Sequence, residues 1–343
     1  AGFLHFVDGD SGQEEWAFTP GVLASLHHVL RQNDIVSVSD DTLQHPYGVD
    51  GPASYVRIDS NGDGQIRAAD GDHMILAFGL RRGGRQYYGL DVTTPTSPKL
   101  AWTLSPTGEF AELGQSWAAP IPVRVPGHAN PVFVISGGYD SDRDDPTRGS
   151  SDPDGMGRAV YIVDALDGSL VYRADVGTPQ RFVGEATFRH AIPAASEAVD
   201  YNSDGVADRI YLGDMGADLW RLDLDSDDSR HWRVRQIASL GGSGIENRRL
   251  FNAIDFVSIN TGSRRQDLLL VGSGDRANPK SGGESSDLPT VKDAFFLIRD
   301  PVSVAAASGK NPDVVDIDQL KDVTNELLCD RKSDAGDIEG CLS

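Results

Sequence analysis

A chain of 343 residues with 39% apolar content is long enough for one large domain or two ordinary ones, each with a real core. Its 52 acidic residues against 31 basic ones leave a net charge of −21, a field that attracts cations and repels phosphate backbones, which argues against nucleic acid as a partner. No apolar run approaches the ~18 residues of a membrane helix, so no transmembrane segment is expected; the start at Ala1, without Met or signal segment, reads as a piece of a longer or processed protein.

Along the chain one phrase recurs: an alternating apolar strand ending in Asp, a turn rich in Asp, Gly, Ser or Pro, and a second strand ending in an aromatic. It runs as "FLHFVDGDSGQEEW" from Phe3, "YYGLDVTTPTSPKLAW" from Tyr87, "AVYIVDALDGSLVY" from Ala159 and "DLWRLDLDSDDSRHW" from Asp218, with a weaker copy, "AFFLIRDP", from Ala294. Each is a β-hairpin by its period of two and its turn residues. The strand-ending residues Asp8, Asp91, Asp164, Asp223 and Asp300 lie farther apart than a plain propeller repeat of ~40–50 residues.

The excess length has identifiable contents. After the first hairpin, Thr19-Pro20 reads as an N-cap and first-turn proline, followed by Val22, Leu23, Leu26, Val29 and Leu30 on one helical face. Next comes "DSNGDGQIRAAD", residues 59–70, with the spacing of an EF-hand calcium loop except that Asp stands at the last position. Asp59, Asn61 and Asp63 are its candidate side-chain ligands, Gln65 offers a backbone carbonyl and Asp70 closes it. "LRRGGRQYY", residues 80–88, reads as a Gly-Gly hairpin turn rather than an anion site. The acidic stretch 138–155 fits no metal loop and reads as a solvated, mobile connection. In "DYNSDGVAD", residues 200–208, a nine-residue closure supplies Asp200, Asn202, Asp204, the Val206 carbonyl and Asp208. Both loops consist of oxygen donors suited to Ca²⁺; the alternative is a pair of Asx-turn connections, since Asp, Asn and Gly are turn formers.

Strand-like runs between the hairpins ("HMILAFGL", "PVFVISGG", "RIYLGD", "DLLLVGSGD") complete four-stranded units. The fold expected is all-β, a modified β-propeller with an inserted helix and calcium-binding loops. It spans residues 1–310 as a ring incomplete within this chain, with residues 311–343 as a C-terminal helix and cysteine loop. Val315, Leu320, Val323, Leu327 and Leu328 carry that helix. Cys329 and Cys341 either pair across a short loop, the favoured reading outside the cytoplasm, or remain two free thiols. No G-x-S-x-G, H-E-x-x-H or P-loop occurs, so no catalytic residue is assigned.

"FLHFVDGDSGQEEWAFTP", "GLRRGGRQYYGLDVTTPTSPKLAW", "AVYIVDALDGSLVY" and above all "AVDYNSDGVADRIYLGDMGADLWRLDL" resemble the C-terminal propeller domain of the PilY family of type IV pilus biogenesis factors and tip adhesins. The resemblance covers most of residues 1–300. It implies a calcium loop on Asp200, Asn202, Asp204, Val206 and Asp208, with occupancy linked to pilus extension and twitching motility. It also implies an extracellular place at the pilus tip, reached through periplasm and outer membrane, and partners among minor pilins and a host or abiotic surface. The chain is thus expected to be a non-enzymatic module; the alternative is a secreted quinoprotein-like or glycan-active propeller, whose blade phrase is similar.

Overall fold

In the computed structural model, residues 2–32, 36–38, 42–44, 46–145, 152–261, 264–277, 291–302 and 313–323 are described. The first hairpin pairs β1 (Leu4–Val7) with β2 (Glu14–Phe18). A 3₁₀ turn over Gly21–Leu26 leads into α1 (His27–Gln32), followed by the small pair β3 (Val36–Val38) and β4 (Thr42–Gln44). The expected helix is therefore present but opens as 3₁₀. Thr19 does not cap it: its hydroxyl donates to the Gly2 carbonyl and meets His27 Nε2 at 2.8 Å, leaving Pro20 at the cap position. Leu23 is buried while Val22 is half exposed, as the tighter winding requires.

Blade A follows as β5 (Ala53–Ile58), β6 (His73–Gly79), β7 (Tyr87–Asp91) and β8 (Lys99–Leu104). Blade B contains β9 (Ile121–Val123), β10 (Val132–Ser136), β11 (Ala159–Asp164) and β12 (Leu170–Asp175). Blade C contains β13 (Glu197–Val199), β14 (Arg209–Gly213), β15 (Asp218–Asp223) and β16 (Arg233–Ser239). Blade D is β17 (Asp255–Thr261), β18 (Arg264–Gly272) and β19 (Phe295–Arg299). Within each blade, chain neighbours pair antiparallel in sequence order, the meander of a β-propeller.

In blades A and B the repeated phrase supplies the last two strands; in blade C it supplies β15 and the turn that follows, with Trp232 just ahead of β16, and in blade D it supplies β19. In blades A, B and D the strand-ending Asp caps the turn after it, whereas Asp223 of blade C holds Arg221 and Arg235. Asp91 Oδ1 accepts the Thr93 amide at 2.9 Å, Asp164 Oδ1 that of Leu166 at 2.7 Å, and Asp300 Oδ1 that of Val302 at 2.8 Å. In the copies ending at Trp16 and Trp102 the aromatic reaches the next blade, whereas the Trp232 indole donates to the Ser226 carbonyl within its own blade. The Trp16 indole donates to the Pro95 carbonyl at 2.7 Å and that of Trp102 to Ala165 at 3.0 Å. Trp102 lies so close over Gly89 and Gly168 that a Cβ on either would sit within 2.8 Å of its side chain.

Strand alternation builds the core between blades. Along β10, Val132 and Val134 face blade C while Phe133 and Ile135 face blade A; along β14, Ile210 and Leu212 face blade B while Tyr211 faces blade D. Both faces of these strands are apolar because a blade is covered on both sides. The Asp300 carboxylate accepts from Tyr211 at 2.7 Å and from Arg221 at 2.6 Å, binding blade D to blade C through a buried charge.

Beyond β19 the described chain does not continue the expected C-terminal helix. Val315–Asp316 form β20, parallel to the outer edge of β16, and Ile317–Gln319 make a 3₁₀ turn whose N-terminal end is closed by a capping box between Asp316 and Gln319. The apolar spacing that suggested a helix instead seats Val315, Ile317 and Leu320 on the cluster between blades C and D. Leu327, Leu328, Cys329 and Cys341 lie outside the described residues. Among the described residues no helix is long and apolar enough to cross a membrane.

Candidate functional site

Both acidic loops occupy the same place in their blades, the turn between first and second strands. Residues 59–72 join β5 to β6, and residues 200–208 join β13 to β14. In each, the first Asp folds the loop around itself. Asp200 Oδ1 accepts the Ser203 amide at 2.6 Å and Oδ2 the Gly205 amide at 2.7 Å; Asp59 likewise accepts from Gly62 and Gly64, both at 2.7 Å. The Gly64 amide, aided by its neighbours, holds the Asp59 carboxyl below the usual carboxylate range. Asn202 then accepts from Asp204, and Asp204 from Val206; Asn61 and Asp63 repeat both bonds. Gly64 and Gly205 adopt φ of +79° and +87°, the left-handed turn a side chain would resist.

The closing residues differ from expectation in the first loop. Asp208 Oδ2 accepts the Tyr201 amide at 2.6 Å. Its counterpart is Asp72, buried, which accepts the Ser60 amide at 2.8 Å and the Arg67 amide at 2.9 Å. Asp72 stands two residues beyond the Asp70 that EF-hand spacing selects, and "DGD" at residues 70–72 offers both acids. Asp70 faces the Arg67 guanidinium at 3.5 Å, and Arg67 also holds Asp63 at 3.1 Å and the Gln65 side-chain oxygen. Three of the expected ligand residues in this loop thus surround a cation that the chain itself provides.

The second loop has no such internal cation: among the described residues no Lys, Arg or His forms an ion pair with Asp200, Asp204 or Asp208. Asp204 Oδ2 and Asp208 Oδ1 accept no hydrogen bond there. Its donors are all oxygens, in keeping with a hard divalent ion. Among the described residues no group of three or more His, Cys, Asp or Glu side chains converges as a metal site. The loop's amides preform its curvature; its carboxylates stay apart, as like charges do. The loop is anchored to blade D: the Tyr201 ring lies between the Arg265 guanidinium, 3.4 Å from its centroid, and that of Arg209 at 4.4 Å. Asp267 on β18 takes both arginines, at 3.5 and 2.8 Å.

The turns between second and third strands form the opposite face, where the expectation of a solvated stretch at residues 138–155 fails. Asp140, Arg143 and Asp154 are buried; residues 146–151 lie outside the described residues. Arg143 Nε donates to Asp154 Oδ1, and Arg143 also donates to His190 Nδ1 at 3.0 Å. Arg249 extends the network, donating to the Arg143 carbonyl at 3.0 Å and to Asp275 at 2.6 Å. Arg82 pairs with Asp144 at 2.7 Å and lies over Trp117 and Tyr139, Arg81 faces Asp50 at 3.8 Å and Arg85 donates to the Leu113 and Ala111 carbonyls, so the arginines around the Gly83-Gly84 turn are engaged by the protein itself. Of the acids here, Asp144 is taken by Arg82 from another connection, Asp154 by Arg143 of the same stretch, and Asp140 by the Asp142 and Gly155 amides, pairings that composition alone conceals.

Burial, with Arg143 beside it, pushes His190 down to about 4 from its ordinary 6.5. The folded state therefore keeps His190 neutral where the unfolded chain already binds a proton. Its contribution is complete above pH 6.5 and is lost as pH falls toward 4, about 3 kcal/mol in all. Urea midpoints measured from pH 7 to 4 should fall less steeply in His190→Gln than in the parent; equal slopes would remove His190 from the acid response.

Known proteins share this arrangement of blades. A sequence profile of the PilY1 beta-propeller domain matches residues 2–255. The type IV pilus biogenesis factor PilY1 of Pseudomonas aeruginosa (strain UCBPP-PA14) is 31% identical over 225 residues, covering 65% of this chain and 16% of that protein. A PilY1 homolog of Xylella fastidiosa (strain Temecula1) is 23% identical over 355 residues, covering 92% and 22%. The crystal structure of the P. aeruginosa PilY1 C-terminal domain shares the fold with a TM-score of 0.61 at 22% identity, over 91% of this chain and 58% of that one. The chain spans only 16–22% of the length of these curated relatives. Since the profile runs from the first hairpin to the start of blade D, the chain belongs to the PilY1 β-propeller domain family.

Proposed function

We propose that this propeller is a calcium-binding, non-enzymatic module of a type IV pilus biogenesis protein. It works at the pilus tip outside the cell and supports pilus extension, twitching motility and surface attachment through contacts with minor pilins. Family membership supports the pilus setting. The observation carrying the calcium reading is the loop at residues 200–208, whose three carboxylates have no ion-pair partner among the described residues and whose turn is already formed by its own amides. Asp200, Asn202, Asp204, Asp208 and the Val206 carbonyl would hold the ion, and its chemistry is charge neutralisation that draws the carboxylates together. Through Tyr201 the loop's shape bears on Arg265 and blade D, so occupancy is felt at the join between two blades. The loop at residues 59–72 is the weaker site because Arg67 competes for the Asp63 and Asp70 carboxylates.

Calorimetric titration tests this reading. The parent is expected to bind calcium with a dissociation constant between about 10⁻⁶ and 10⁻³ M, the span of sensor and extracellular sites. Asp208→Ala should weaken the tighter site at least about tenfold without changing the far-ultraviolet spectrum. Equal affinity in that variant would show that the ion, if bound, sits elsewhere.

A further inference from the structure

The calcium reading assigns one ligand that is not a side chain, the Val206 carbonyl, and a carbonyl is aimed by the peptide plane that carries it. That plane also holds the Ala207 N–H. No peptide bond here is cis, so the N–H and the carbonyl point to opposite sides of the chain. The Ala207 amide donates to the Arg124 carbonyl at 2.8 Å, and among the described residues no hydrogen bond goes to the Val206 carbonyl. Arg124 therefore fixes one side of the plane and leaves the Val206 oxygen directed away from it. The next amide, that of Asp208, donates to the Val199 carbonyl at 2.8 Å, so the closing carboxylate also stands on held backbone.

Arg124 opens the turn at residues 124–131 that joins β9 to β10 in blade B, the position that the acidic loops occupy in blades A and C. This turn is fastened at several points. His128 Nε2 meets Asp164 Oδ2 at 2.8 Å, and the Asn130 side-chain amide donates to the same oxygen at 2.9 Å. Asp164 is itself buried, with its other oxygen taken by the Leu166 amide. The Ala165 amide donates to the Pro131 carbonyl at 3.1 Å. Val125 is buried with Ala207 in the core between blades B and C. The first acidic loop is built without this support: its counterpart of Ala207 is Ile66, whose amide makes no hydrogen bond among the described residues. Nothing of this kind aims the Gln65 carbonyl.

We propose that His128 and Asn130 are positioning residues for the calcium loop of the neighbouring blade. By fastening the turn to Asp164 they hold the Arg124 carbonyl against the Ala207 amide, and this sets how tightly residues 200–208 take calcium. The proposal rests on the calcium reading and adds the blade B turn to it. Partners that orient a metal ligand from behind govern affinity nearly as strongly as the ligands themselves. The coupling is reciprocal, so bound calcium in turn stiffens the join between blades B and C. With Tyr201 reaching blade D on the other side, the loop is held from both neighbouring blades.

Calorimetric calcium titrations of the parent, Asp208→Ala and the double variant His128→Ala with Asn130→Ala test this, beside hydrogen exchange read at single amides. Before calcium is added, the Ala207 amide should exchange faster in the double variant than in the parent. The double variant should bind calcium about tenfold more weakly. His128→Gln, which keeps a donor at this position, should stay close to the parent. In the parent, saturating calcium should slow exchange across residues 124–131, a measurement that depends on no variant folding. A parent that binds calcium, loses it in Asp208→Ala and keeps its affinity in the double variant would overturn the proposal and leave the calcium reading standing. Exchange across residues 124–131 unmoved by saturating calcium would overturn it as well. A parent that binds no calcium would overturn both.

Discussion

Asp154→Ala is expected to cost about 3–5 kcal/mol of folding stability, the loss seen when one member of a buried ion pair is removed. Both side chains of the Arg143–Asp154 pair are fully buried, and Asp154 Oδ2 additionally accepts the Ala191 amide at 2.7 Å. Removing the carboxylate takes the Asp154 partner from a fully buried guanidinium and leaves the amide without its acceptor. The pair itself contributes less than this number suggests, because desolvating both charges offsets most of their attraction. Replacing both residues together, as Arg143→Met with Asp154→Leu, should therefore recover much of the loss. Urea denaturation of the single and double variants measures both. A single-variant loss under about 1 kcal/mol would mean that water reaches this network.

Trp220→Ala should be similarly damaging, at about 3–5 kcal/mol. The ring is buried between blades B and C and meets Phe188 edge-on at 5.0 Å, with Phe182 beyond at 6.1 Å. Its indole N–H also donates to Asp214 Oδ2 at 2.8 Å. Burial, reinforced by neighbouring Asp218, pushes Asp214 well above the usual carboxylate range, so this acceptor has little to gain from solvent. Trp220→Phe separates the two effects: it keeps most of the apolar contact and loses the hydrogen bond, for about 1–3 kcal/mol. Equal losses in the two variants would assign the whole effect to the Asp214 bond.

The fold was readable where the physics is local. Turn-capping aspartates, period-two strands and terminal aromatics are set within about fifteen residues of chain, so the outer hairpin of each blade stood out. The first strands of blades B and C were not readable, since β9 and β13 span only Ile121–Val123 and Glu197–Val199 and owe their strand state to the pairing of their neighbours. The acidic stretch at residues 138–155 was misread for a related reason: its partners Arg82, His190 and Arg249 come from other blades and connections, and only tertiary structure pairs them. In the candidate site, the nine-residue loop could be read because its hydrogen bonds run between near neighbours. Asp72 was missed because its place depends on how far β6 reaches before the loop begins. Arg67 was missed as a competitor because a spacing rule for ligands takes no account of a cation lying within the same turn.

The return of β20 to the edge of β16 affects how the molecule assembles. Blade D lies in sequence between two strands seated side by side in blade C, so it folds inside a closed loop of chain. Closing such a loop carries an entropy cost that grows only slowly with length and is met once, when Val315 and Asp316 dock. That docking needs the outer edge of β16, and hence blade C, to exist first. Blade D is the element enclosed by that loop. The strap keeps its two ends together even when its own sheet opens, so its strands have a short search back to their places.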